Sequence, residues 1–89
     1  MKIKLELFGA CRDFSNKNYL EFNIKGQPKI KDFRKEIINY LGKNFKDNEN
    51  FIKIVKNSVF CSEDNNIIND DFKIIKDQKI GIIPPIGGG

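Results

Sequence analysis

The chain reads as an α+β domain, a mixed sheet with one main helix packed on one face. Three observations predict this. The first residues alternate apolar and polar as a half-buried strand does. A central stretch carries an apolar stripe at helical spacing. The last apolar run alternates again before two prolines. A hairpin, a crossing helix and then further strands is an order that buries one sheet face under a helix.

In Lys2–Phe8, Ile3, Leu5 and Leu7 fall on one face and Lys2, Lys4 and Glu6 on the other. Gly9-Ala10-Cys11-Arg12-Asp13-Phe14 breaks the alternation, and Ser15-Asn16-Lys17-Asn18 is a loop by composition. Tyr19–Ile24 alternates again, with Leu20, Phe22 and Ile24 together, and suits a second strand antiparallel to the first. Ile30, Phe33, Ile37 and Leu41, widened by Ile38, predict a helix, with Pro28 at its entrance and Gly42 just past its end. Lys29 stands where Ser, Thr, Asp or Asn would cap best, and Asp32 partly offsets this by facing the positive end of the helix dipole.

Phe51–Val55 and Val59-Phe60-Cys61 read as two short strands joined by a tight turn at Asn57, a residue that tolerates left-handed backbone. Ser62–Asp71 is a polar loop interrupted by Ile67-Ile68. Phe72, Ile74 and Ile75 begin another buried patch, and Asp77-Gln78 suits a turn. The final strand carries Ile80 and Ile82, and its return to the first strand would set them beside Ile3 and Leu5. No repeat or second domain stands out. Residues 1–83 are expected to form the domain and 84–89 a flexible tail.

With 89 residues the chain is near the lower size at which a hydrophobic core suffices without staples. It has no His, which removes the commonest general acid/base and metal ligand, so a Ser-His-Asp or Cys-His site cannot be built within it. Cys11 and Cys61 make no disulfide framework and no C-x-x-C pair. Each reads as a small buried hydrophobe, with Arg12 beside Cys11 leaving a reactive thiol as the weaker alternative. No apolar run approaches a membrane span and no secretory signal opens the chain, so a cytoplasmic protein with reduced thiols is expected. The net charge of +4 comes from scattered lysines mixed with acids, which suits a solvated surface. A basic nucleic-acid-binding module is the competing reading, but the aromatic residues sit at core-period positions and do not interleave with the basic ones. No nucleic acid, membrane or metal partner is expected.

The run Pro84-Pro85-Ile86-Gly87-Gly88-Gly89 is the candidate site. Three glycines pack no core. A thin, bare acyl end suits an enzyme that must thread a chain terminus into a narrow channel and activate its carboxylate. Gly89 leaves the carbonyl unshielded, and Gly87 and Gly88 let a partner's backbone come close. Ile86 can seat in an apolar pocket, while Pro84-Pro85 reduces the entropy lost on ordering. The bland alternative is a disordered terminus.

These residues resemble a known group. Ile3-Lys4-Leu5-Glu6-Leu7-Phe8-Gly9-Ala10-Cys11-Arg12-Asp13, Ile54-Val55-Lys56-Asn57 and Ile74 to Gly89 are similar to the opening, middle and closing segments of the β-grasp, ubiquitin-like sulfur carriers, above all the molybdopterin synthase small subunits. The double proline before an apolar residue and a Gly-Gly end is the specific part. Two departures are Lys76-Asp77-Gln78-Lys79, where the family has Asp-Gly-Asp-Glu, and Lys29, where it has Thr or Ser.

The resemblance implies a β-grasp fold. It also implies that a ubiquitin-activating-type adenylyltransferase and sulfurtransferase uses ATP to adenylate Gly89, after which sulfur replaces AMP to give a thiocarboxylate. The large subunit of molybdopterin synthase would take the tail, in a heterotetramer, and sulfur would pass to cyclic pyranopterin monophosphate to build the dithiolene. The chain would then be the sulfur-donating subunit of a synthase, inactive alone and binding no cofactor itself. Alternatives are a carrier for thiamine or tRNA thiolation, or a ubiquitin-like protein modifier.

Two further residues have two readings each. Phe8, on the face opposite the core set, is a second-layer packing residue or part of a partner surface. Arg12 is a surface charge or a contact to acidic groups of a partner. Asp64, Asp70 and Asp71 lack the spacing of a calcium loop.

Overall fold

The structure is a computed structural model and describes residues 1–46 and 48–85. Strands β1 (Lys2–Leu7), β2 (Tyr19–Asn23), β3 (Val59–Cys61), β4 (Ile67–Ile68) and β5 (Gln78–Ile83) form one sheet in the order β2-β1-β5-β3-β4. A 3-10 segment, Gly9–Phe14, follows β1, and two helices, α1 (Ile30–Asn44) and α2 (Glu49–Asn57), lie between β2 and β3.

The alternation in β1 sets its register. Leu5 faces Leu20 of antiparallel β2 and Ile80 of parallel β5, so the apolar sides of the three strands coincide. Strand β3 continues the sheet antiparallel to β5, with Phe60 opposite Ile82. The expected return of the last strand to the first is observed, and it makes β5 central.

Ile30, Phe33, Ile37 and Leu41 of α1 are fully buried against that sheet face, with Ile3, Leu5, Phe60, Ile80 and Ile82 below them. Phe33 centres the cluster, 5.4 Å from Phe22 and 6.1 Å from Phe60 between ring centroids. The helix start is capped from far along the chain. Ile30 and Lys31 donate their backbone N–H groups to the carbonyls of Phe72 and Asp70, and Ile74 N–H donates to Pro28 O. Half of a capping box is present. The Asp32 carboxylate accepts from Lys29 N–H at 3.0 Å, whereas the Lys29 ammonium has no lone pair to accept in return. The deficit expected at Lys29 is thus largely offset by the 70–74 loop.

Four sequence expectations are corrected. Residues Phe51–Val55 are not a strand and Asn57 is not a hairpin turn, because 49–57 is helix α2. The Asn48 side chain accepts from Phe51 N–H and caps its start. Phe51 then packs on Phe14 and on Phe45, each at 5.1 Å, so the run's apolar residues serve a helix face. Helix α1 runs past Gly42 to Asn44, and the chain reverses with Lys46 at φ 50°. Ile67-Ile68 is a short edge strand and not merely an interruption of a loop. Of the expected patch Phe72, Ile74 and Ile75, Ile74 is buried, Phe72 is half-buried, and Ile75 is exposed.

Candidate functional site

Tail residues Ile86, Gly87, Gly88 and Gly89 lie outside the described residues. What the structure shows is the root from which they continue and the surface around it.

The root is Pro84-Pro85, both half-buried, directly after the central strand β5. Proline donates no backbone hydrogen bond, so sheet pairing ends at Ile83, opposite Val59. Pro84 rests against Gly9. That glycine has φ +52°, in the left-handed region, and a Cβ there would stand 3.0 Å from Pro84 Cγ. Conformation and close approach both call for glycine at this point. On the other side the prolines meet α2, and a cleft of about 180 Å³ is lined by Ala10, Asn50, Lys53, Ile54, Asn57, Pro84 and Pro85. A larger open groove, about 640 Å³, lies between β2 and the end of α1 and is lined by neither proline.

The sheet face away from α1 adjoins the root. Register places Tyr19, Glu6, Gly81, Cys61 and Ile67 in one row across it. The β2 half of this face is charged. Lys79 pairs with Glu6 at 3.4 Å, Lys2 with Glu21 at 3.9 Å, and the Lys4 ammonium stands over the Tyr19 ring at 4.3 Å. The β3 half is apolar. Val59 is 45% exposed and Ile67 65% exposed, and Ile83 and Phe8 are half-buried beside them.

Gly81 is the low point of the apolar half. A Cβ there would meet Cys61 Sγ at 2.7 Å and Phe8 Cε2 at 2.9 Å. Glycine lets the Phe8 ring lie down across the sheet over the strand that leads to the tail. Phe8 therefore packs over Gly81, as the first of its two readings has it, and stays half-buried on the apolar half of the open face. Arg12 is exposed in the 3-10 segment.

Neither cysteine is set up as a nucleophile. Cys11 is fully buried, and burial pushes its thiol up to about 11, against a smaller opposing effect of its hydrogen bond with Ser58. Cys61 is buried beside Gly81. Among the described residues no group of three or more His, Cys, Asp or Glu side chains could hold a metal ion, and no helix is long and apolar enough to cross a membrane.

Sequence reasoning missed the α2 shoulder of the root, Asn50, Lys53, Ile54 and Asn57, because it read this run as strand. It also missed Arg34, whose guanidinium binds the end of α2. The signal for α2 was available. Asn48 precedes Phe51, Ile52 and Val55, which is cap followed by helical spacing.

No protein-family model and no curated protein sequence matches the chain. Solved structures do. A protein of Pyrococcus furiosus assigned as molybdopterin converting factor subunit 1 superposes with a TM-score of 0.70 over 96% of this chain and 98% of its own, at 17% identity. SAMP1 of Haloferax volcanii superposes with a TM-score of 0.68 over the whole of both chains, at 10% identity. The chain has a β-grasp fold. The likeness covers 96% to 100% of this chain, so it concerns the fold as a whole and not one part of it.

Proposed function

We propose that this chain is a sulfur carrier of the molybdopterin synthase small-subunit type, working through the Gly89 carboxylate. The observation that carries this reading is contiguity: the exposed apolar half of the open sheet face runs through Phe8 and Ile83 into the Pro84-Pro85 root. An enzyme that grips this patch receives the tail from a root held at a fixed place. The β-grasp likeness to a molybdopterin converting factor subunit supports the same partner class.

The chemistry needs little from the carrier. A free carboxylate is a poor acceptor at neutral pH. A ubiquitin-activating-type enzyme joins it to the α-phosphate of ATP, releasing pyrophosphate and leaving AMP as a good leaving group. Hydrosulfide then attacks the acyl carbon, AMP departs, one proton is released and the thiocarboxylate remains. The large subunit of molybdopterin synthase accepts the charged tail, and two such carriers supply the two dithiolene sulfurs of cyclic pyranopterin monophosphate. Gly87 and Gly88 admit close walls around the tail, and Ile86 sets its depth. The carrier itself contributes no base or metal, so the catalytic groups reside in its partners, in a cytoplasmic heterotetramer of two small and two large subunits.

The test is intact mass after incubation with ATP, sulfide and the cognate activating enzyme. Replacement of one oxygen by sulfur at the C-terminus is expected, and its absence sinks the proposal. Deleting Gly89 is expected to abolish charging with the fold intact. Val59→Asp, on the exposed apolar patch, is expected to change stability by no more than about 0.5 kcal/mol while large-subunit affinity falls at least about tenfold. The comparable likeness to SAMP1 favours one second reading, a β-grasp carrier whose acyl end passes to another acceptor. Thiamine or tRNA thiolation and protein conjugation are such acceptors. A lysine-linked conjugate of this chain in lysate would move the assignment there.

A further inference from the structure

The Arg34 side chain, only 18% exposed, leaves α1 and ends against α2. Its Nη1 donates to the carbonyls of Val55 at 2.7 Å and Ser58 at 2.8 Å, and its Nη2 donates to Asp70 Oδ1 at 2.9 Å. The guanidinium also stands over the Phe60 ring, 4.8 Å from its centroid. The last carbonyls of a helix have no partner within it, and the end of the helix dipole there is negative. One planar fork answers both needs, which an ammonium, as a point donor, cannot do.

The part of α2 that Arg34 holds is the part that borders the tail root. Ile54 and Asn57 line the cleft with Pro84 and Pro85. Ser58, just past the helix, is buried and donates its hydroxyl to Ile54 O at 2.6 Å. The 3-10 segment that starts at Gly9, where Pro84 rests, packs on α2: Ala10 lines the same cleft, and Phe14 meets Phe51 at 5.1 Å. The mounting is therefore continuous from Arg34 through the end of α2 and the 3-10 segment to Pro84.

We propose that Arg34 is a positioning residue for the acyl tail: by pinning the C-terminal turn of α2 to α1 it fixes the shoulder that aims Pro84-Pro85. This rests on the carrier reading above for its consequence in activity, but not for its structural half. A loosened shoulder leaves Gly89 chemically unchanged and presents it less often in the productive direction. The effect therefore falls on KM for the carrier and spares kcat.

The experiment compares wild type, Arg34→Met and Arg34→Lys, each fully folded by circular dichroism at the assay temperature. Hydrogen exchange by NMR is expected to accelerate at Val55–Ser58 of Arg34→Met by at least about tenfold relative to β1. The Gly9 and Ala10 amide resonances, beside Pro84, are expected to shift. In ATP–pyrophosphate exchange with the cognate activating enzyme, KM for the carrier rises at least about fivefold while kcat stays within twofold. Arg34→Lys moves in the same direction by less and replaces Arg34→Met if that variant does not fold.

Exchange that accelerates equally in α2 and β1, or unshifted Gly9 and Ala10 resonances, overturns the positioning role. So does a fall in kcat at constant KM. Wild type that supports no pyrophosphate exchange overturns the carrier reading alone, and the NMR arm still decides for or against Arg34.

Discussion

The two faces of this sheet are made by the same strands and differ in everything else. On the α1 side, Ile3, Leu5, Leu7, Phe60, Ile80 and Ile82 are essentially inaccessible to water. On the open side, the intervening residues form salt bridges near β2 and an exposed apolar patch near β3. Burial of apolar area is the dominant stabilising term, and exposed ion pairs add little. The closed face therefore holds the fold, and the composition of the open face is not constrained by the core. Gly81 marks the difference within a single strand, standing between Ile80 and Ile82, which point into the core, while its own position is filled by Phe8 from above.

The largest expected effect breaks the closed face. Phe33→Ala removes a fully buried ring that meets Phe22 and Phe60, and should cost about 3–5 kcal/mol by urea denaturation. For a domain of this size that is a large share of total stability.

The second sharpens the contrast at Gly81. Gly81→Ala forces a methyl group toward Cys61 Sγ and the Phe8 ring, and should cost about 1–3 kcal/mol. Combining it with Phe8→Ala should recover part of that loss, because the obstructing ring is gone. Additive losses in the double-mutant cycle would show that Phe8 does not lie over Gly81.

The smallest concerns Cys11, buried behind the tail root. Its folded-state thiol titrates near 11, above the ordinary value of 9.0. The native state therefore holds the proton more tightly than the unfolded chain. That contribution is fully present below about pH 9 and is lost as pH rises toward about 11. Melting curves of wild type and Cys11→Ala should converge over that window, and parallel curves would mean that Cys11 keeps an ordinary thiol.

What the sequence disclosed follows from how local each signal is. The alternation of Lys2–Leu7 and Tyr19–Asn23 fixes which side chains share a face, so the hairpin and its register were legible. Helix α1 was legible from Ile30, Phe33, Ile37 and Leu41, but its end was not. Gly42 costs a helix about 1 kcal/mol, and the packing of Phe45 on Phe51 outweighs it. The run Phe51–Val55 by itself is too short and too apolar for its period to separate strand from helix, and only the Asn48 cap ahead of it decides for helix. The candidate site divides the same way. Pro84-Pro85 was legible as the point where strand pairing stops, and Phe8 was placed on the face away from the core, where it is found; the glycines lie outside the described residues. The rest of the root was not, because Gly9 against Pro84 and Arg34 on the carbonyls of Val55 and Ser58 join segments far apart in the chain.

Strand β5 is the last of the described strands in sequence yet sits in the middle, joining the β2-β1 pair to the β3-β4 pair. On a ribosome, a nascent chain lacking Gln78–Ile83 holds two unlinked fragments of sheet, with no hydrogen-bonded ladder between them. The keystone arrives only moments before Pro84. Chains truncated before Gln78 are therefore expected to lack that closure and to be cut faster in limited proteolysis than the full chain.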